Sequence, residues 1–405
     1  MKIFYGWVIV GTGILVSCIG FGAMLSLSVF LQPMAAATGW SRTGISTAAL
    51  INWLSMGVGT FLWGALSDRL GTRSVVLLGG IVLGLGMVTA SQATTLGQFQ
   101  ILFGVLVGVA TGSFYAPLTA TTTRWFVANR SLAVALVSAG VSLGSTTIGP
   151  LVRWIITHYD WRMAMLVVGD LVWIVIIPAA LLVREPKAAP ATAAAVDGVQ
   201  GPDLTVAQAL RTPQFLAIAL TYFACCATHS GPIFHMVTNA IDHGISAMAA
   251  TTVLSVAGLA SLGGKIVCGL VADRFGAKRT LVAGLALQAL AVALYVPVGA
   301  LPGFYAVAIM FGFAYGGVMP LYAILVREYF GARIMGTVFG AVSAVSTLGM
   351  SIGPWTGGWL YDTFGGYFWL FVGSAAIGVG AVAIASTFRP PRAVPAALPS
   401  PIPAG

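Results

Sequence analysis

The chain has 405 residues, of which 58% are hydrophobic and only 7% charged, with a mean hydropathy of +0.96. That leaves too little polar surface to enclose a water-soluble globule of this size, so the chain is read as a membrane protein. The 19 Lys and Arg against 10 Asp and Glu give a net +9, but the bases are scattered singly between apolar runs, which excludes the clustered basic face of a nucleic-acid binder.

Lys2 followed by an apolar run resembles a signal peptide, but the uncharged stretch from Trp7 to Leu31 lacks a small-residue cleavage pattern and reads as a first transmembrane helix. A bilayer core takes about 20 apolar helical residues per crossing. Uncharged runs between charge and turn clusters place twelve spans, at about 7–31, 44–66, 74–92, 97–122, 131–152, 163–183, 214–239, 246–271, 280–300, 303–326, 334–360 and 366–388. The expected fold is therefore an all-α polytopic membrane protein with twelve transmembrane helices in two six-helix pseudo-symmetric bundles. Residues 1–183 form the first bundle, 184–212 a cytoplasmic linker, 213–388 the second bundle and 389–405 a tail. In the linker, Asp203 is placed to cap a short amphipathic helix, LTVAQALR, and Pro213 opens the seventh span. The proline-rich tail is expected to be disordered.

With a cytoplasmic amino terminus, fifteen basic residues fall on the cytoplasmic side and only Arg42, Arg153 and Arg162 outside. That bias predicts a multi-pass protein of the cytoplasmic membrane with both termini inside. Cys18, Cys225, Cys226 and Cys268 all lie in apolar runs without metal-site spacing and read as small core side chains, so neither metal nor cofactor is expected.

A repeat runs through the chain. GALSDRLGTR, from Gly64 to Arg73, returns as GLVADRFGAKR, from Gly269 to Arg279, with Asp68 and Asp273 205 positions apart. Pro117 and Arg124 match Pro320 and Arg327 at an offset of 203, and Ile148-Gly149-Pro150 matches Ile352-Gly353-Pro354 at 204. Such duplication is the signature of a transporter whose halves surround a central site. Asp68, Arg69 and Arg73, with Asp273 and Arg274, are placed to pair across helix ends and latch one conformation. Topology alone would need only the bases, and the paired acid recurs in both halves. The small residues of GSTTIGP (144–150) and GMSIGPWTGG (349–358) suit close helix packing and hinging.

Few ionisable residues lie within the spans, and each is costly there, at least about 2.5 kcal/mol on insertion scales. Lys265 sits eight residues before Asp273, hence about 12 Å deeper in the membrane. It is either an anion partner facing a central cavity or a lysine snorkelling to the interface, and the residues alone do not choose. Ser261, one turn away, shares its face. His229 and His235 project about 120° apart on the seventh span; a histidine on an apolar helix is commonly a hydrogen-bonded core group, and one with access to the path can bind a carboxylate or carry a proton. Asp170 is read as a locally satisfied carboxyl rather than a proton carrier.

These motifs resemble the major facilitator superfamily, with its acidic-basic-glycine loop after the second helix of each half. YGWVIV at Tyr5, GWSR at Gly39, RWFVANR at Arg124 and FHMVTNAIDHGIS at Phe234 are similar to the monocarboxylate-porter and oxalate/formate-antiporter branch. The superfamily likeness spans nearly the whole chain; the branch likeness rests on the shorter motifs. The resemblance implies alternating access around a site near the bilayer midplane. It implies that Lys265 stands where this branch carries a carboxylate-binding arginine, although lysine is a point charge without the bidentate fork. It likewise implies that His235 is the branch's seventh-helix histidine, and that Tyr115 in GSFYAP places an aromatic hydroxyl against the substrate.

The expected function is a secondary transporter, expected to be a monomer, that moves small organic anions such as lactate or pyruvate with a proton. The alternatives are a carboxylate/carboxylate antiporter, a drug or cation exporter, and a membrane solute sensor. The exporter needs buried acids in the first half, which helices 1, 2, 4 and 5 lack; the sensor needs signalling segments longer than the linker and tail. Without a nucleophile and base pair or a phosphate-binding glycine loop, the chain is not expected to be an enzyme.

Overall fold

The computed structural model describes residues 4–126, 130–186, 204–331 and 334–389. Among them twelve helices are long and apolar enough to cross a membrane. These are α1 (Tyr5–Thr38), α2 (Arg42–Leu70), α3 (Thr72–Ser91), α4 (Leu96–Trp125), α5 (Arg130–His158) and α6 (Trp161–Leu181). The second six are α7 (Pro213–Asp242), α8 (Ala247–Phe275), α9 (Ala277–Leu294), α10 (Leu301–Phe330), α11 (Met335–Phe364) and α12 (Phe368–Ser386).

Packing repeats between the halves as the sequence motifs do. In the first bundle α1 lies against α5 and α6, α2 against α4, and α3 against α6; in the second α7 lies against α11 and α12, α8 against α10, and α9 against α12. The halves meet where α2 packs on α11, α5 on α8, and the end of α1 on α7. Glycines permit the closest approaches. A Cβ on Gly358 would stand 2.8 Å from the Arg42 carbonyl, and one on Gly258 would stand 2.6 Å from the Ser145 hydroxyl.

Among the described residues the apolar closure of the seam lies at one end. One end of the molecule carries the two repeated motif loops, and the other carries the α1–α2, α7–α8 and α11–α12 connections; they are called here the motif end and the distal end. A single apolar core runs through the first bundle and, on the distal side, across into the second, from Ile45 and Phe103 to Phe234, Tyr295 and Phe371. Toward the motif end it divides. Leu281, Tyr322, Val338 and Ala385 form a core of the second bundle alone, and Val10, Phe126 and Ala133 a small one in the first.

Several helices depart from the continuous spans expected from hydropathy. In α4 the residues Gln100–Val107 are π-helical, and the helix breaks over Gly112, Ser113 and Phe114 before restarting at Tyr115. Hydropathy is blind to such a break because the interrupted residues are as apolar as their neighbours, and broken spans are tolerated where they face a cavity. The linker contains a short helix, Val206–Leu210, whose cap is Thr205 with a reciprocal bond to Gln208. Asp203, the expected cap, lies outside the described residues, as do 187–202 of the linker and residues 390–405 of the tail. Pro213 opens α7 behind the Thr212 cap, where its missing N–H costs nothing.

Candidate functional site

Halfway along the seam, α5 presents Ser138, Ser142 and Thr146 at intervals of four, one face of a helix, toward Lys265, Ser261 and Ser255 of α8. The Lys265 ammonium donates to the Ser142 hydroxyl at 3.1 Å and, more loosely, to the Ser138 carbonyl and hydroxyl at 3.4 and 3.5 Å. Among the described residues no carboxylate lies within ion-pairing distance of it. The cation is therefore held by hydroxyls of the opposite half and lacks a counter-charge. Coulomb attraction strengthens as the dielectric falls, so such a site favours an incoming anion. Snorkelling to the interface, the other role open to this side chain, is not what it does in this conformation.

Ser261 lies 3.0 Å from the Ser142 hydroxyl, so it joins Lys265 through one shared oxygen. The Tyr315 hydroxyl of α10 faces Ser261. The Tyr115 hydroxyl faces Ser138 and Thr119 and lies within electrostatic range of Tyr222 in the other half. Tyr115 is the first residue of the helix that resumes after the break in α4, and it is 37% exposed. His229 stacks on Tyr315 with ring centroids 5.3 Å apart. Its Nδ1 donates to the Cys225 carbonyl at 2.8 Å, so its Nε2 carries the lone pair. Lys265, Ser261, Tyr115 and, through Tyr315, His229 thus belong to one polar cluster.

His235 does not join that cluster. It is fully buried at the distal closure, with Nε2 2.8 Å from the Pro354 carbonyl and Nδ1 3.2 Å from the Tyr367 hydroxyl. The physical reason is Gly357: a Cβ there would collide with the His235 ring, so its absence lets α7 and α11 enclose the imidazole.

Around His235 stands a clasp between the halves. Arg42, at the start of α2, donates to both carboxylate oxygens of Asp242 at 2.7 and 3.0 Å, donates to Tyr367 at 2.8 Å, and lies 3.6 Å over the Tyr361 ring. With only 12% and 25% of the two side chains exposed, this pair is screened far less than an open surface pair. Asp362 of α11 accepts from the Thr43 N–H at 2.8 Å and its hydroxyl at 2.6 Å, and at 3.3 Å from the Arg42 N–H. An acid of the second half thus sits on the N-terminus of a first-half helix, where the dipole favours it. Sequence reasoning does not single out Arg42, Asp242, Asp362 or Tyr367. The signal that could have found them is the scarcity of charge at the end with few bases.

The motif end differs. The Asp68 side chain lies outside the description. Arg69, Arg73, Asp273 and Arg274 are exposed, and among the described residues none of them makes an ion pair. Arg274 lies 5.7 Å over Phe275, and Lys278 caps the end of α12 through the Ser386 and Phe388 carbonyls at 3.0 and 2.6 Å. Arg124 forms an ion pair with Glu185 at this end, at 3.7 Å, and Glu185 also accepts from the Thr72 N–H opening α3. Asp170 is half-buried on α6, which packs on α1, α3 and α5 of its own bundle.

Comparison with known proteins places this geometry. The family described as Major Facilitator Superfamily matches residues 12–354 and, in a second match, 228–404. Monocarboxylate transporter 13 of Bos taurus is 30% identical over 374 residues, covering 92% of this chain and 86% of that protein. Monocarboxylate transporter 11 of Homo sapiens is 27% identical, covering 90% and 78%. Among solved structures, a bacterial homologue of the human lysosomal transporter Spinster, in an inward-facing and unoccupied conformation, superposes with a TM-score of 0.75 at 16% identity, covering 95% of this chain and 97% of that one. At that identity the likeness is one of fold.

Proposed function

The chain belongs to the monocarboxylate-transporter branch of the Major Facilitator Superfamily, and from that premise we propose that it moves small monocarboxylates, such as lactate or pyruvate, across the cytoplasmic membrane by proton-coupled alternating access. The observation that carries the substrate class is the Lys265 ammonium: in the seam, beyond the reach of any described carboxylate, held by the hydroxyls of Ser142 and Ser138. A carboxylate entering there neutralises a cation whose burial is otherwise costly, whereas a cationic drug meets repulsion. Ser261 and Tyr115 offer neutral donors that bind an anion without adding charge, and the His229 lone pair suits a hydroxyl or keto-hydrate hydrogen on the substrate.

The motif end is assigned to the cytoplasm because fifteen of the 19 basic residues fall there. With that orientation we read the conformation as inward-facing, because the distal clasp joins the halves on the outside while the apolar core divides between them toward the motif end. Alternating access then requires the clasp to part and the motif loops to close, with Asp68 and Asp273 latching the closed cytoplasmic side.

The test is uptake into proteoliposomes of purified protein, with radiolabelled lactate, pyruvate, formate, oxalate and aromatic acids, with and without an inward proton gradient. Lys265→Ala is expected to abolish accumulation, and Lys265→Arg to retain it with altered preference. Equal uptake by all three proteins, or uptake indifferent to the proton gradient, overturns the corresponding part of the proposal.

A further inference from the structure

Alternating access, taken from the reading above, needs a switch that decides which end is open. The polarity of the hydrogen bonds at the distal clasp points to one. The Pro354 carbonyl can only accept, so His235 Nε2, 2.8 Å away, carries a hydrogen. In the neutral ring Nδ1 is then an acceptor, and it takes the hydrogen of the Tyr367 hydroxyl at 3.2 Å. That leaves the Tyr367 oxygen to accept from Arg42 at 2.8 Å. The closed clasp, with a neutral imidazole, is a chain of matched donors and acceptors running from Asp242 through Arg42 and Tyr367 to His235 and the backbone of α11.

We propose that His235 is the proton-binding site that opens the distal end: neutral, it completes the clasp that joins α2, α7 and α11; protonated, it releases it. A proton on Nδ1 turns that atom into a donor. Thr238 donates to the Tyr367 oxygen at 3.1 Å or to the His235 carbonyl at 2.9 Å; once its hydrogen turns to the carbonyl it can accept that of Tyr367, but the Tyr367 oxygen then receives donors from two cations, His235 and Arg42. Among the described residues no other cation faces the ring, and the acids near it, Asp242 and Asp362, are already engaged: the first with Arg42, the second with the start of α2. The remaining neighbours, Phe234, Gly357 and Leu370, are apolar. Like-charge repulsion within a buried site loosens the grip of Arg42, the residue that crosses between the halves. Loading of this site from the outside at low pH thus favours the outward-open form, and binding of the carboxylate at Lys265 remains a separate event.

Full-length protein in nanodiscs, spin-labelled at Gln92→Cys and Ala300→Cys, two exposed distal positions in opposite halves, with the four native cysteines replaced by alanine, reports distal opening by pulsed electron resonance. Between about pH 8 and about pH 5.5, which bracket the ordinary histidine range, the ratio of distal-open to distal-closed protein is expected to rise at least tenfold. His235→Gln mimics the neutral ring, its amide donating to Pro354 and accepting from Tyr367 without titrating, and is expected to shift less than twofold. Tyr367→Phe, which removes the shared oxygen, is expected to be more open than the parent at about pH 8 and equally insensitive to pH. A parent-like shift in either variant overturns the proposal alone. An absence of distal opening in the parent at both pH values overturns it together with the alternating-access reading.

Discussion

The two ends of the seam are built from opposite materials. At the distal end charges are few, and those that join the halves are paired or cap a helix: Arg42 on Asp242 and Asp362 on the N-terminus of α2, with the neutral His235 held behind them between Pro354 and Tyr367. At the motif end charges are many and mostly exposed, and Arg69, Arg73, Asp273 and Arg274 make no ion pair among the described residues. An end with few charges can be closed by a small set of directional bonds, because each is strong when water is excluded. An end rich in hydrated bases stays open until specific acids engage them. The asymmetry suits a protein that alternates between two closures of similar free energy, since neither needs the whole interface to rearrange.

The largest expected way to break that contrast is Arg42→Ala. It removes a bidentate pair, a bond to Tyr367 and a ring contact at once. A loss of about 2–4 kcal/mol, or about 30- to 1000-fold, in the distal-closed population is expected, read as the spin-label distance between Gln92→Cys and Ala300→Cys. A distance distribution unchanged from the parent would show that the apolar core alone seals that end.

Asp68→Asn tests the opposite closure. It is expected to leave expression, insertion and the distal-closed distances unaltered while slowing carboxylate exchange in proteoliposomes about tenfold, the worth of about 1.4 kcal/mol in a barrier. Unchanged exchange would reduce the motif charges to a topology signal.

Asp362→Ala is expected to act in the same direction as Arg42→Ala but more weakly. It removes an exposed acid that caps α2 from across the seam, worth about 1 kcal/mol or about fivefold in distal closure. The smallest effect is expected from Glu185→Gln at the motif end. The exposed pair with Arg124, at 3.7 Å, contributes about 0.2–1 kcal/mol at most, so thermal stability should fall by a degree or two and uptake stay within twofold. A large transport defect would reveal a role for this pair in motif-end closure.

Much of this architecture is legible without coordinates. Hydropathy alone places twelve spans, and the repeated offsets of 203 to 205 place two halves. Lys265 stands out because a lone cation within a span has few reasons to exist, and Ser261 follows from helical spacing. The remaining groups of the central cluster are less visible. Tyr115 depends on a break in α4 that apolar residues conceal, and Ser138 and Ser142 look like any other hydroxyls until α8 is brought against them. His235 shows the limit most clearly: its sequence setting gives no hint that a missing Cβ at Gly357, 122 positions away, lets α11 close over its ring.

What the sequence determined by itself is whatever the bilayer enforces locally: the number of crossings, the side on which bases collect, the duplication, and the rarity of a charge such as Lys265. Each follows from the cost of placing single residues in hydrocarbon, a cost that needs no knowledge of neighbours. Which end of the seam is shut, which acid holds Arg42, and whether a histidine faces the central cluster or the distal clasp were decided by tertiary structure alone. Those are properties of pairs brought together from distant parts of the chain, and their energies come from geometry and desolvation that exist only after the two bundles have met.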